Sequence, residues 1–189
     1  MQNSVPKGEG GMLAVLGTTV ENIEKILNDN KNDFVAEIAN DNSEGQMVLS
    51  GKTQDLEKLS SVFKENKIKN IKLPVSAPFH CSLMKKATEI MTKELQKLNF
   101  KKGSNVLISN ITVDEIFNAD ELKDLLTKQI ENRVRWRESV INMINKGVNE
   151  FIEIGPGKVL SGLIKRIDKN IKVSAINHEE DIKLININD

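Results

Sequence analysis

The sequence is poor in cysteine and in aromatic residues, and it has no long apolar run. Its single cysteine excludes a framework of internal disulfide bonds. No apolar run approaches the roughly 18 to 20 residues that a membrane-spanning helix needs, and the N-terminus lacks the charged-then-apolar pattern of a signal peptide. With one Trp, no Tyr and six Phe, a core must be built from Ile, Leu, Val and Met. These absences predict a soluble, cytoplasmic protein.

The charge also lacks a dominant sign. The chain of 189 residues carries 27 Lys and Arg against 27 Asp and Glu. A basic field that could hold a nucleic-acid backbone is therefore missing from the composition. We expect neither a nucleic acid nor a membrane among the partners of this protein. The length is enough for one domain with a sizeable core or for two small lobes.

The first part of the chain, 12–73, alternates between strand-like and helix-like patterns. Thr18 or Thr19 is placed to cap the first predicted helix, and Thr53 to cap the second. A polar cluster at 40–45 predicts a turn between two strands. The order strand, helix, strand, strand, helix, strand is typical of a ferredoxin-like unit, in which two helices cover one face of a four-stranded sheet. The predicted strands are 12–16, 34–39, 46–49 and 68–73.

The remainder, 74–189, alternates helix and strand, which predicts a parallel sheet with helices on its faces. Pro74 and Pro78 bracket an extended segment, because a residue before proline avoids the helical conformation. Asp120 is predicted to cap a later helix. Only three strands are clear, which is few for a parallel sheet that is normally buried on both faces. The strands are 106–109, 151–154 and 173–176, the helices are 82–98, 120–130, 137–146 and 159–167, and the segment 1–11 precedes both subdomains.

Two histidines are candidates for chemistry. His80 follows the proline-bracketed segment and precedes a helix, a position at which sites in α/β folds collect, and an imidazole exchanges protons near neutral pH. It is either a catalytic base or a helix-capping or surface residue. His178 lies in a polar tail and is interpreted as a solvated residue. Two distant histidines and one cysteine give no metal-ligand spacing.

Three further features allow a functional and a structural interpretation. Cys81 is adjacent to His80, but neighbours in sequence rarely direct their side chains at each other, so we expect a semi-buried thiol and no dyad. Residues 155–157 (Gly-Pro-Gly) open a helix and form either an anion-binding turn or a tight connection, of which we favour the connection. The arginines of the segment 133–137 form either a solvated basic face around Trp136 or a docking patch for an acidic partner.

A serine nucleophile of the usual kind is missing from the sequence. Such a serine lies on a strained strand-to-helix turn in the pattern Gly-x-Ser-x-Gly. Ser50 and Ser161 each precede a glycine, but both lack the glycine two residues before. The chain therefore holds a candidate base, His80, without the hydroxyl group that such a base would serve.

Five segments form a set of motifs. They are 10–17, a glycine-led apolar strand; 39–51, similar to A-N-x-N-S-P-x-Q-x-V-x-S/A-G with Glu44 in place of proline; 73–84, which contains His80; 129–136, with the pattern Q-x-x-x-x-V-x-W; and 153–166, which contains Gly-Pro-Gly-Lys-Val-Leu. Together, in this order and at this spacing, they resemble the malonyl-CoA:acyl carrier protein transacylase family of fatty-acid synthesis. The match extends over nearly the whole chain and is highly specific.

The resemblance implies a fold and a set of roles. The fold would be an α/β-hydrolase-like large subdomain, of which 74–189 is the C-terminal part, with an inserted ferredoxin-like small subdomain. His80 would be the general base and acid, and the carbonyl of Gln129 would orient it. Asn40 and Asn42 would help to shape the cleft between the lobes. The substrate would be malonyl-CoA, the acceptor would be acyl carrier protein, and neither a cofactor nor a metal would take part.

The resemblance also implies that the family's N-terminal part lies outside this sequence. That part carries the Gly-His-Ser-x-Gly-Glu nucleophile segment and the arginine that pairs with the malonyl carboxylate. We therefore expect the chain to be inactive alone. It is then half of a split enzyme that pairs with an N-terminal chain, a remnant of an interrupted gene or an incomplete gene model. The alternative of another class is a non-catalytic module that binds acyl carrier protein.

Overall fold

A computed structural model describes residues 4–75, 77–101 and 103–183. The architecture is mixed α/β, as the sequence predicts. The chain divides into two compact units, Met1–Ser139 and Val140–Asp189, each of which is described by itself. The subdomain boundary predicted after Leu73 stays a prediction.

The first unit contains a four-stranded sheet with two helices. Its elements are β1 (Gly10–Leu16), α1 (Val20–Asp29), β2 (Ala36–Ser43), β3 (Gln46–Lys52), α2 (Thr53–Glu65) and β4 (Lys69–Lys72). This is the order of strands and helices predicted from the apolar periodicity. The strands lie in the order β2-β3-β1-β4, and every neighbouring pair is antiparallel. Since β1 and β3 are central, they carry the most apolar sequence of the four strands.

The apolar stripes of α1 and α2 pack on this sheet and form a mainly aliphatic core. Thr19 caps α1, because its side-chain oxygen accepts a hydrogen bond from the amide of Asn22. The cap predicted for α2 is wrong: Lys52 is the N-cap, and the Thr53 hydroxyl donates to the carbonyl of Gly8 instead. Full burial of each large apolar side chain contributes about 1.5–3 kcal/mol. The most buried members are Leu13, Val15, Ile23, Met47, Leu49, Leu59 and Phe63.

Strand β2 is longer than predicted, because it runs through the polar cluster that the sequence assigns to a turn. Residues 40–43 lie in the strand, and the turn is reduced to Glu44 and Gly45. Gly45 has φ of +69°, in the left-handed region that glycine adopts without steric cost. The turn prediction for 40–43 is therefore wrong, and the polar side chains there are displayed from a strand.

Two helices of the first unit begin differently from the prediction. The helix expected over 82–98 is preceded by a 3₁₀ turn, Ser82–Met84, and continues as α3 (Lys85–Gln96). The helix expected to be capped by Asp120 is α4 (Ala119–Lys128), and its cap is Asn118, whose side chain accepts a hydrogen bond from the Asp120 amide at 2.8 Å. The caps change, but both helices lie where the apolar spacing places them.

A small hairpin separates α3 from α4. The strand predicted at 106–109 is β5 (Leu107–Ile108), which pairs antiparallel with β6 (Glu115–Ile116), a strand that the sequence does not reveal. The prediction that the strand at 106–109 belongs to a parallel sheet is therefore wrong. The next helix, α5 (Trp136–Asn145), begins in the first unit and continues into the second.

The second unit contains the parallel pairing that the sequence predicts. β7 (Glu150–Ile154) and β8 (Lys172–Ile176) are parallel neighbours, and α6 (Val159–Ile167) connects them. The tail contains a short helix, α7 (Glu179–Ile182), that the sequence pattern does not indicate. Ile154 at the end of β7 is 79% exposed, so a two-stranded sheet leaves apolar side chains uncovered. In the described ranges, none of the helices is long and apolar enough to cross a membrane.

Candidate active site

His80 lies in the loop between β4 and the 3₁₀ turn, and one of its ring nitrogens forms a hydrogen bond with a main-chain carbonyl. Its Nδ1 lies 2.8 Å from the carbonyl oxygen of Gln129. Because a carbonyl only accepts, Nδ1 carries the proton of the neutral ring and Nε2 keeps its lone pair. His80 has φ of +60°, in the left-handed region that residues other than glycine seldom occupy. This arrangement suits a general base that accepts a proton at Nε2.

The main chain on both sides of His80 is attached to the sheet. The hydroxyl of Ser50 on β3 donates to the carbonyl of Phe79 at 2.5 Å. The amide and hydroxyl of Ser82 both donate to one oxygen of Glu37 on β2, at 2.9 and 2.5 Å. These three bonds bracket His80 and hold its strained backbone in place. Ser76, in the extended segment before it, lies outside the described residues.

Gln129 is the C-cap of α4, and its main-chain carbonyl and its side-chain amide make different contacts. Its main-chain carbonyl faces His80, as the resemblance implies. Its side-chain amide instead donates to the carbonyl of Asn132 at 3.0 Å and so closes the turn after the helix. The side chain shapes the loop, and the backbone makes the contact. A role of Gln129 in catalysis stays a prediction.

Asn40 and Asn42 lie on β2, both half-buried. The chain segment after Gln129 runs beside this strand: the amide of Val134 donates to Ala39, and its carbonyl accepts from the amide of Asp41 at 2.9 Å. Within the described part of the chain, the amide side chains of Asn40 and Asn42 form no hydrogen bond. They remain available to a ligand, and their predicted role in shaping a cleft is not tested by this geometry.

A buried ion pair that the sequence analysis did not identify lies next to these residues. The Asp41 carboxylate is completely buried, and the Arg137 guanidinium donates three hydrogen bonds to it at 2.8–3.1 Å. The hydrogen bond to Asp41 raises the pKa of Arg137. No local pattern indicates this contact, because the two residues are 96 positions apart. The only signal in the sequence is an acidic residue between two asparagines.

The other arginines of the segment 133–137 are also paired. Arg135 donates to Glu138 and to the carbonyls of Ile111 and Thr112, and Arg133 donates to Glu138. The hydrogen bond to Glu138 raises the pKa of Arg135. The side chains of Arg133, Arg135 and Arg137 are only 27%, 32% and 29% exposed. The cluster is therefore neither a solvated basic face nor a set of free cations for an acidic partner.

An open cleft of about 340 Å³ lies beside His80. Its charged lining consists of Glu24, Glu37, Glu131 and Arg133, and Arg133 already forms ion pairs with Glu24 and Glu138. A ligand carboxylate would meet three carboxylates and one neutralised arginine. Among the residues that the structure describes, this cleft therefore offers no unpaired arginine or lysine to a ligand carboxylate.

The remaining candidates lie in structural positions. Cys81 is fully buried with its Sγ 3.1 Å from the Pro78 carbonyl, and burial raises the pKa of this thiol to about 11. Ser161 donates to Glu153. His178 is exposed at the start of α7 in the second unit. In the described part of the chain, no hydroxyl or thiol group forms a hydrogen bond with the His80 imidazole.

The Gly-Pro-Gly turn is not an anion site. The carboxylate of Glu153 on β7 accepts hydrogen bonds from the amides of Leu160 and Ser161 at 3.0 and 2.7 Å, so it occupies the N-terminus of α6. The amide of Gly157 donates to the side chain of Asn177. These protein groups use the donors that an anion would need, which supports the tight connection. No cluster of three or more potential metal ligands occurs within 4–75, 77–101 and 103–183.

Comparisons with known proteins agree on one family. The chain is 39% identical over 186 residues to the malonyl CoA-acyl carrier protein transacylase of Bacillus subtilis (strain 168). This alignment covers 97% of this chain and 59% of that protein. The crystal structure of the transacylase from Clostridium perfringens matches with a TM-score of 0.92 and 40% identity, over 97% of this chain and 58% of the other. No protein-family model matches the chain.

A third match is a malonyl-transacylase solved in complex with its type II PKS acyl-carrier protein. It has a TM-score of 0.90 and 32% identity, over 96% of this chain and 59% of that one. The chain thus spans less than two thirds of the length of the relatives that it matches.

Proposed function

Since the chain belongs to the malonyl CoA-acyl carrier protein transacylase family, we propose that it provides the histidine part of an active site for malonyl transfer. The reaction moves a malonyl group from malonyl-CoA to acyl carrier protein. The observation that carries the proposal is the contact between Nδ1 of His80 and the carbonyl of Gln129, which leaves Nε2 as a proton acceptor.

In the proposed reaction, Nε2 of His80 removes the proton of a serine hydroxyl while the serine oxygen attacks the malonyl thioester. His80 then gives the proton to the sulfur of coenzyme A as the carbon–sulfur bond breaks, so that coenzyme A leaves as the thiol. The thiol of acyl carrier protein next attacks the malonyl-serine ester, again with His80 as base and then acid. The carbonyl of Gln129 stabilises the imidazolium at Nδ1 in both halves, which is the role of the aspartate in a Ser-His-Asp triad.

We propose that the serine and the cation for the malonyl carboxylate are supplied by residues outside these 189. Three observations support this. The pattern Gly-x-Ser-x-Gly does not occur in the sequence. The cleft beside His80 has no unpaired arginine or lysine in its described lining. Large apolar side chains are exposed in each unit, as expected where further chain would cover them: Ile90 (57%), Val106 (60%), Phe117 (66%), Ile154 (79%) and Val159 (71%).

Binding of acyl carrier protein without catalysis is the alternative function. A docking patch made of the arginines at 133–137 loses its support, because carboxylates of the same unit neutralise all three. The relative solved with an acyl carrier protein shows that a homologous transacylase forms such a complex. We propose the same class of partner here, as acceptor of the malonyl group.

A complementation assay tests the proposed function. The purified chain is mixed with a polypeptide that carries a Gly-His-Ser-x-Gly-Glu segment from a relative, and malonyl transfer to acyl carrier protein is measured. We expect activity in the mixture and its loss on His80→Ala. The matched control is His178→Ala, which changes the other histidine and should leave the rate unchanged. Equal rates with and without His80 would refute the proposal.

A further inference from the structure

Both partners of the contact between His80 and Gln129 are attached to the same strand, β2. Glu37 on this strand holds the amide and hydroxyl of Ser82, two residues after His80. Asp41 on the same strand holds Arg137, eight residues after Gln129. Two carboxylates of one strand therefore fix the two chain segments that must meet for the imidazole to be oriented.

The connection between Gln129 and Arg137 leaves little freedom once its far end is fixed. The Gln129 side chain closes the turn by donating to the carbonyl of Asn132. The segment then runs beside β2, where Val134 forms two main-chain hydrogen bonds of 2.8 and 2.9 Å. Arg137 anchors the end with its bidentate bonds to Asp41. A shift of this anchor along β2 moves the Gln129 carbonyl away from Nδ1.

The buried pair of Asp41 and Arg137 contributes mainly to the position of the chain segments that it joins, and little to the free energy of unfolding. Asp41 is completely buried, so the loss of solvation offsets much of the Coulomb attraction. Arg137 donates through both Nε and Nη2, and this bidentate contact fixes the distance and the direction of the planar guanidinium together. A hydrogen bond between an imidazole and a carbonyl depends on both.

We propose that Asp41 and Arg137 are positioning residues for His80: their ion pair sets the place of the Gln129 carbonyl and thereby selects the imidazole tautomer with a free Nε2. The inference rests on the proposed function, because it assigns a purpose to the tautomer. Arg137 acts through the chain segment that it anchors, and neither residue touches the reacting atoms.

The test is the NMR signal of the imidazole in the labelled 189-residue chain at mildly alkaline pH. Long-range proton–nitrogen spectra report which ring nitrogen is protonated, and His178 serves as an exposed internal reference. In the unmodified chain we expect His80 protonated at Nδ1, with slow exchange of that proton. In the double variant Asp41→Leu/Arg137→Met, which leaves no buried charge behind, we expect about tenfold faster exchange and a mixture of tautomers.

The control is the exposed ion pair Lys128–Asp124, which lies next to Gln129 on α4. The variant Asp124→Asn/Lys128→Gln should leave the His80 signal unchanged. If the apolar double variant does not fold, as judged from its unfolding transition, Arg137→Lys is measured instead, since it keeps the charge and loses the fork. An unchanged His80 signal in the folded variant overturns the positioning role. If the NMR results are as expected but the complemented enzyme does not transfer malonyl groups, the proposed function is overturned and the positioning role of the ion pair is not.

Discussion

The Nδ1 atom of His80 lies 2.8 Å from the main-chain carbonyl oxygen of Gln129, so the backbone orients this imidazole where other triads use a carboxylate. The side chain at position 129 is therefore dispensable for the contact. Gln129→Ala loses only the side-chain bonds to the carbonyls of Asn132 and Arg133, and we expect malonyl transfer in the complemented enzyme to fall by no more than about tenfold. His80→Ala should lower it by about 10²–10⁴. Equal losses in the two variants would contradict a backbone contact.

Replacing only one partner of the ion pair between Asp41 and Arg137 should lower the free energy of unfolding more than replacing both partners by apolar residues. Arg137→Ala leaves the completely buried Asp41 carboxylate without its partner, which costs about 3–5 kcal/mol in the free energy of unfolding. Urea denaturation measures this value. The matched surface change is Lys97→Ala, which breaks an exposed pair with Glu94 and should cost no more than about 1 kcal/mol. Similar costs at both sites would show that Asp41 is solvated.

Cys81 should be inert in the folded chain. It is fully buried, and burial raises the pKa of its thiol to about 11, so the thiolate that alkylating reagents need is scarce at neutral pH. We expect negligible labelling by iodoacetamide under native conditions and complete labelling in urea. Since the sequence contains one cysteine, mass spectrometry gives an unambiguous readout. Rapid native labelling would indicate an activated thiol beside His80.

Gly10 should tolerate no side chain. A Cβ at this position would lie 2.5 Å from the ring of Pro78, two residues before His80. Gly10→Ala therefore has to displace Pro78 and should lower both stability and malonyl transfer. Gly162 is the matched control, because its Cβ would meet no atom within 4 Å and its place in α6 favours alanine by about 0.5–1 kcal/mol. Thermal unfolding should shift in opposite directions in the two variants.

The pair formed by Glu138 predicts a specific dependence on pH. The hydrogen bond from Arg135 holds the pKa of Glu138 below its ordinary value of 4.5. Its contribution to stability is therefore complete above that value and is lost as the pH falls through the lowered pKa of the folded state. We expect the difference in unfolding free energy between the unmodified chain and Glu138→Gln to be constant near neutral pH and to vanish in acid. A difference that grows on acidification would have the wrong sign.

Much of the sheet is predictable from the sequence, because apolar periodicity reflects burial directly. The order of elements over 12–73 follows from this signal alone. The turn prediction for 40–43 is wrong because Asn, Asp and Ser side chains bond to their own main chain and so favour turns where only local sequence is considered. In the fold, Val134 provides main-chain partners at the edge of β2, and Arg137 neutralises Asp41. Both partners are distant in sequence, so no local pattern contains them.

In the candidate site, too, local features can be predicted from the sequence and contacts between distant residues cannot. The position of His80 between an extended segment and a helix is visible in the sequence, but its contact with Gln129 spans 49 residues and was expected only from the resemblance. The ion pair of Asp41 and Arg137 was missed for a physical reason: charge complementarity becomes a contact only after the chain has folded. Both interpretations of the arginines at 133–137, a solvated basic face and a docking patch, are wrong, because their carboxylate partners Glu24, Asp41 and Glu138 come from three different elements.

The location of the covalent intermediate tests the central claim most directly. Radiolabelled malonyl-CoA is incubated with the complemented enzyme, the reaction is quenched in acid before acyl carrier protein is added, and the two polypeptides are separated. The account predicts that the label is bound to the serine of the added polypeptide, that none is bound to the 189-residue chain, and that His80→Ala prevents labelling. A malonyl ester on a serine of the 189-residue chain, formed without the added polypeptide, would contradict it.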